Sequence, residues 1–211
     1  ASYQVDSLSI GVTMTIWVYA IVDSIAEFLK NHSDLNIHIH YGNTAQLLTL
    51  LDRGEINLAL VEGNYPKENY GHMNYSTEEY IGVCAVSHTF QKKNPKTMSD
   101  LKKERLLVRE KGSGTRNILE NLLLARGMEI QDFIHYVQVE NMHTMISLLK
   151  RDCGISFMYK IAVAEELEAG ILKEIRLSDF KMQHDFDFIW EKGSIYTDKY
   201  VAICKELSGR G

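Results

Sequence analysis

The chain is poor in the residues that staple, break or anchor a polypeptide. Its cysteines, Cys84, Cys153 and Cys204, are odd in number and far apart, and none belongs to a CxxC pair. That excludes a disulfide framework and a zinc knuckle and points to buried, reduced thiols. No stretch approaches the ~18 uninterrupted apolar residues of a membrane span, and Ala1-Ser2-Tyr3-Gln4-Val5-Asp6 does not read as a signal peptide. A cytoplasmic setting without membrane contact is expected. Positive charge is not in excess: the formal net charge is −5, which argues against wrapping nucleic acid unaided. One segment runs against this balance. From Lys92 to Arg116 the chain is rich in Lys and Arg, mostly solvated side chains whose sum favours an anionic ligand nearby. With two prolines in 211 residues and 45% hydrophobic content, the rest has ordinary globular composition.

Strand and helix patterns alternate along the chain. Leu8 to Val12 reads as a strand, and Val18, Ile21, Val22, Ile25, Phe28 and Leu29 then recur at helical spacing. Leu35, Ile37, Ile39 and Tyr41 alternate with polar residues, as a strand with one wetter face does. Gly42-Asn43-Thr44 turns into a helix with Leu47, Leu48 and Leu51 on its core side, and Gly54 ends it. Ile56 to Val61 suits a central strand. Further strands are expected at 81–86, 106–108, 136–139, 155–158 and 186–190, and further helices at 118–125, around 145–149, at 161–168 and at 198–207. This is an α/β chain, expected to have parallel strands joined by right-handed crossovers.

The sharpest local signal is the run from Leu106 to Arg116. An apolar strand stops at Gly112-Ser113-Gly114-Thr115-Arg116 and a helical pattern follows at once. Such a junction points free backbone N–H groups and the positive end of a helix dipole at an anion. The glycines permit a compact nest, Ser113 and Thr115 add hydroxyls, and Arg116 offers a bidentate donor. Two earlier strand-to-helix junctions, Thr13-Met14-Thr15 and Asn43-Thr44, also carry small polar residues. In open α/β sheets, ligands settle at the carboxyl ends of strands.

Those segments, in this order, resemble the C-terminal effector-binding domain of LysR-type transcriptional regulators. The residues that carry the likeness are Leu8-Ser9-Ile10-Gly11 with the Thr13-Met14-Thr15 turn, Tyr41-Gly42-Asn43-Thr44, Leu50 to Gly63, Arg109 to Arg116, Cys153 to Phe157 and Ala162 to Leu167. The resemblance implies two Rossmann-like subdomains joined by two crossovers, similar to type 2 periplasmic binding proteins. Residues 1–84 and 188–211 would form subdomain I and 85–187 subdomain II, with the winged helix-turn-helix domain of such regulators absent from this chain. It further implies a small anionic effector held between subdomains by Thr13, Met14, Thr15, Asn43, Thr44 and Gly112, Ser113, Gly114, Thr115, Arg116. The same likeness implies a homodimer, with tetramers possible at full length, and DNA contact only through the missing domain. His143, at a helix start after Val139-Glu140-Asn141-Met142, is a further candidate ligand contact. Two departures stand out: Ala20-Ile21-Val22 replaces the family's leucine-leucine-proline step, and Trp17 stands where relatives carry a small residue.

No set of residues makes an enzyme. Ser113 lacks a His–Asp partner pattern, and the glycine loop is neither a nucleophile elbow nor a P-loop. His38 and His40 share one face of a strand but have no acidic or cysteine ligand at useful spacing, so neither a metal nor another cofactor is expected. Glu78-Glu79 and Glu165-Glu166 are adjacent surface pairs, and Tyr159 reads as a packing residue. The rival from another class is a periplasmic-type solute receptor for an oxyanion, which shares the fold.

Overall fold

A computed structural model describes residues 7–13, 21–62 and 65–209. The chain divides into two compact units, Ala1–Glu78 with His184–Gly211, and Glu79–Gln183.

In the first unit, strand β1 (Ser7–Thr13) lies between β2 (Asn36–Gly42) and β3 (Leu58–Glu62). Both pairings are parallel, with Ser7 opposite Asn36 and Ile10 opposite Leu58. Helix α1 (Val22–Asn31) connects β1 to β2, and α2 (Thr44–Asp52) connects β2 to β3. Each parallel pair is thus joined by a helix, as a crossover requires. Gly11 lets α2 close on the sheet: a Cβ there would stand 2.6 Å from Leu47 Cδ2. Leu47 and Leu51 of α2 share a core with Ile56, Ala59, Val61 and Ile189. Helix α1 buries Ile25 and Phe28, with Ile21 buried just before it, whereas Val22 and Leu29 face solvent. The apolar stripe expected from the sequence is therefore wider than the face that packs; Val18 lies outside the described residues. Against β1, β2 is the sheet's edge, with His38 exposed and His40 half-buried.

Not every strand is parallel. Strand β9 (Met182–Glu191) runs antiparallel to β3, with Leu60 opposite Phe188. A run of apolar residues marks a strand but not its direction. Direction follows from the path between strands, and β9 returns after the whole second unit. The α6 helix (Thr197–Leu207) completes the first unit.

Strand β4 (Tyr70–Ala85) runs from the first unit into the second. The sequence marks its apolar end, Ile81 onward, while its half-exposed first part has no clean alternation. In the second unit β4 pairs antiparallel with β7 (Ser156–Tyr159) and with β8 (Leu172–Ile175). Only four residues long, β8 carries Lys173 and Glu174 at its centre and gives no sequence signal. The parallel pair β5 (Arg105–Val108) and β6 (His135–Gln138) stands beside it, with Leu106 bridged to Ile155. Helices α3 (Gly114–Leu124), α4 (Met142–Lys150) and α5 (Ala164–Glu168) belong to this unit. The helix expected over 161–168 is split: Lys160–Val163 is a 3-10 turn and only α5 is α-helical.

A polar clasp holds the start of the second unit. His88 Nδ1 lies 2.6 Å from Asp152 Oδ1 and its Nε2 lies 3.0 Å from Glu104 Oε2. Glu104 is buried, and its other oxygen accepts the Gln91 N–H at 2.8 Å. Within the basic run, Lys92 pairs with Asp100. Cys84 and Cys204 are buried and Cys153 is half-buried, all three unpaired. Burial pushes the Cys84 thiol up to about 11 and the Cys204 thiol up to about 12. Among the described residues no helix is long and apolar enough to cross a membrane, and no cluster of His, Cys, Asp or Glu suits a metal ion.

Candidate functional site

The glycine-rich junction forms as the sequence suggests. Strand β5 ends at Val108, Gly112 takes φ +92°, and α3 begins at Gly114. Such a φ favours glycine, so Gly112 is what allows the chain to reverse here. Ser113 is the N-cap of α3: its Oγ accepts the Arg116 N–H at 3.2 Å, and its carbonyl accepts the Asn117 N–H at 3.0 Å. The first helical N–H groups, those of Gly114 and Thr115, have no acceptor among the described residues. They are the donors a helix start leaves over. The Ser113 hydroxyl, spent as an acceptor on the cap, keeps its O–H free to donate.

Thr115 is buried, and the Tyr80 hydroxyl donates to its carbonyl at 2.9 Å. Below the loop, Tyr80, Leu107, Thr115, Met145 and Phe157 pack with no room for a water molecule.

Neither arginine of the loop carries an unpaired charge. Arg109 Nε and Nη2 donate to the two carboxylate oxygens of Glu110 at 3.0 and 2.9 Å. That fork holds the Glu110 carboxyl below the usual glutamate range. The Arg116 side chain is 4% exposed. Its Nε donates to Glu120 Oε1 at 2.6 Å, and its Nη1 donates to the Arg109 carbonyl at 2.9 Å and to Gln138 Oε1 at 3.1 Å. The donors expected to face a ligand thus reach strand and helix partners of the same unit.

The next helix start in this unit has the same build without glycine. Asn141 caps α4, its Oδ1 accepting the Thr144 N–H at 3.1 Å. His143 lies exposed in the first turn. An asparagine before an apolar helix is a legible cap signal, though the histidine two residues on is the more conspicuous side chain.

In the first unit, Thr13 ends β1 and is 4% exposed. Its Oγ1 is buried with no hydrogen-bond partner among the described residues. Asn43 is occupied: its Oδ1 accepts the Gln46 N–H at 2.8 Å, and its own N–H donates to Gln46 Oε1 at 2.9 Å. This capping box fixes the start of α2 and leaves Thr44 half-buried in the first turn. Met14, Thr15 and Trp17 lie outside the described residues. Tyr80 and Gln138, which hold the loop, are not expected from the sequence; a tyrosine in a strand and a glutamine at a strand end carry no distinguishing pattern.

The chain is an α/β domain of two units in which Asn43, Ser113 and Asn141 cap the helices that follow parallel strands. Residues 2–203 match the family described as LysR substrate binding domain. The chain belongs to that family, one of transcriptional regulators, and is an effector-binding regulatory domain of the LysR type. Among curated relatives it is 25% identical over 181 residues to a probable RuBisCO transcriptional regulator of Trieres chinensis, covering 83% of this chain and 59% of that protein. It is 22% identical over 204 residues to the corresponding protein of Emiliania huxleyi, covering 95% and 65%. The chain thus spans about three fifths of the length of these relatives. Among solved structures, the Synechocystis PCC6803 CcmR regulatory domain in complex with 2-PG superposes with TM-score 0.78 at 18% identity, over 96% of this chain and 97% of that one. The effector-binding domain of QuiR in complex with shikimate gives 0.72 at 17% identity, over 98% and 99%. At such identities the likeness is one of fold.

Proposed function

We propose that this domain senses a small anionic metabolite and passes the signal to DNA binding in the full-length regulator. The observation that carries the reading is that each unit has an unsatisfied donor after a strand, among the described residues. Gly114 and Thr115 present free N–H groups at the start of α3, and Thr13 holds a buried hydroxyl without a partner among the described residues at the end of β1. Buried polar groups are normally satisfied, and those that are not often await a ligand or a water. Gly112, Ser113, Gly114 and Thr115 would hold the anionic group. Thr13, Met14, Thr15, Asn43 and Thr44 would complete the contacts, with His143 at the next helix start. QuiR with shikimate is the chemical guide: a small organic acid of that size. The effector alters regulation only through contacts that differ between two states of the domain.

The two units are taken as the two subdomains of the family. DNA contact is assigned to a segment outside these 211 residues, in a cytoplasmic homodimer. Support for pairing comes from unsheltered surfaces: Val22, Leu29 and Tyr41 on α1 and the edge strand β2, and Ile134, Tyr136 and Val137 around β6. Exposed strand edges with apolar side chains are templates for association.

The test is thermal unfolding of this domain against sulfate, phosphate, molybdate, shikimate and 2-PG, with its mass in solution recorded alongside. A ligand at a hundred times its Kd adds ~2.7 kcal/mol of stability. A dimer stabilised by an organic acid is the expected result. A monomer stabilised by phosphate or molybdate alone overturns the proposal in favour of a solute receptor.

A further inference from the structure

We infer that Arg116 is a positioning residue that closes the anion loop, and that it does not carry the effector's charge. The inference rests on the reading that Gly112 to Thr115 receive an anion. Arg116 lies in the first turn of α3, yet its guanidinium reaches back past the loop. Nη1 binds the Arg109 carbonyl, at the end of β5 where the loop begins, and also the Gln138 side chain at the end of the neighbouring β6. Nε binds Glu120 one turn further along α3. Both stems of the loop are therefore tied to one planar group, while the Arg116 N–H closes the cap on Ser113. The stretch from Glu110 to Thr115 spans a gap that the guanidinium bridges directly.

A planar fork with fixed donors does this and an ammonium does not: a lysine nitrogen cannot reach acceptors in different directions with the same geometry. The charge balance agrees. Glu120 neutralises Arg116 and Glu110 neutralises Arg109, so neither guanidinium brings an unpaired positive charge to the loop. An anion bound here is held by backbone N–H groups and hydroxyls whose directions the Arg116 brace fixes. Selection then follows hydrogen-bond geometry more than charge, and ions of equal charge but different shape are told apart.

Two variants separate this role from direct contact. Arg116→Lys keeps the charge and loses the fork. The double variant Glu120→Ala with Gln138→Ala keeps the arginine and frees its guanidinium from both side-chain acceptors. Sulfate is the probe, with affinity read from the unfolding temperature against concentration, and amide hydrogen exchange is followed across 110–115. A positioning role predicts about fivefold to tenfold weaker sulfate binding in both variants, with faster exchange at Lys111 to Thr115. Direct contact predicts affinity kept in Arg116→Lys and raised in the double variant, and that result overturns the inference. If the parent domain does not bind sulfate, the anion reading of the loop fails for that ion. The exchange data still decide the brace: unchanged protection in both variants rejects it.

Discussion

The hydroxyl of Tyr80 donates to the carbonyl oxygen of Thr115 at 2.9 Å, tying β4 to the first turn of α3. Both residues are buried, so the bond is sheltered from water and fixes how far the helix start stands from the sheet. With the Arg116 brace, it gives the glycine loop two anchors from different elements.

Tyr80→Phe removes one neutral hydrogen bond and no packing volume. The expected cost is about 1 kcal/mol of unfolding free energy. Effector binding at the loop should weaken as well, because the first-turn N–H groups lose an anchor. Chemical denaturation and ligand titration of the same preparation check both. A stability loss with unchanged affinity would confine Tyr80 to packing.

Thr13→Val separates ligand binding from folding. Among the described residues the Thr13 hydroxyl has no partner to lose, and valine suits a strand equally well. Stability should stay within about 0.5 kcal/mol of the parent or rise. Affinity for the effector should fall. A clear loss of stability would show that the hydroxyl serves the fold.

His88 bridges two carboxylates, one of them the buried Glu104. Replacing it by alanine leaves that carboxylate with the Gln91 N–H alone. Removing one partner of a buried pair is costly, and His88→Ala should lose about 2–4 kcal/mol. The denaturation midpoint should drop at unchanged slope. His88→Gln, which returns one donor, should recover part of the loss.

The Arg109 fork holds the Glu110 carboxyl below the usual glutamate range. A carboxyl lowered in the folded state binds protons more readily when unfolded. Its stabilising contribution is complete above the ordinary glutamate value and is lost as pH falls through the folded value. Glu110→Gln should therefore be less stable than the parent near about pH 6, and the gap should close towards about pH 3. Unfolding temperatures of both proteins across that range are the measurement. A gap independent of pH would assign the effect to lost hydrogen bonds and not to charge.

Local chemistry is legible in the residues themselves. Glycine at 112 permits the turn, and Ser113, Asn43 and Asn141 are helix caps because short polar side chains reach back to the first-turn N–H groups. Period-two and period-3.6 patterns locate β2, α2, α3 and α4 because each of these elements has a wetter and a drier side. What the sequence hides depends on partners distant along the chain. The path of the chain, and not composition, sets β9 antiparallel to β3. Four-residue β8 and the polar half of β4 are strands because their neighbours supply the hydrogen bonds. Val22 and Leu29 are apolar yet exposed, since the face that α1 buries, with Ile25 and Phe28, is narrower than the apolar stripe the helix offers. Arg116 is the clearest case. Its type and place in a glycine loop suggest an anion contact, but the ends of β5 and β6 stand where its guanidinium reaches them. Residue type determined what Arg116 can bind; only the tertiary structure decided which acceptors lay within its span.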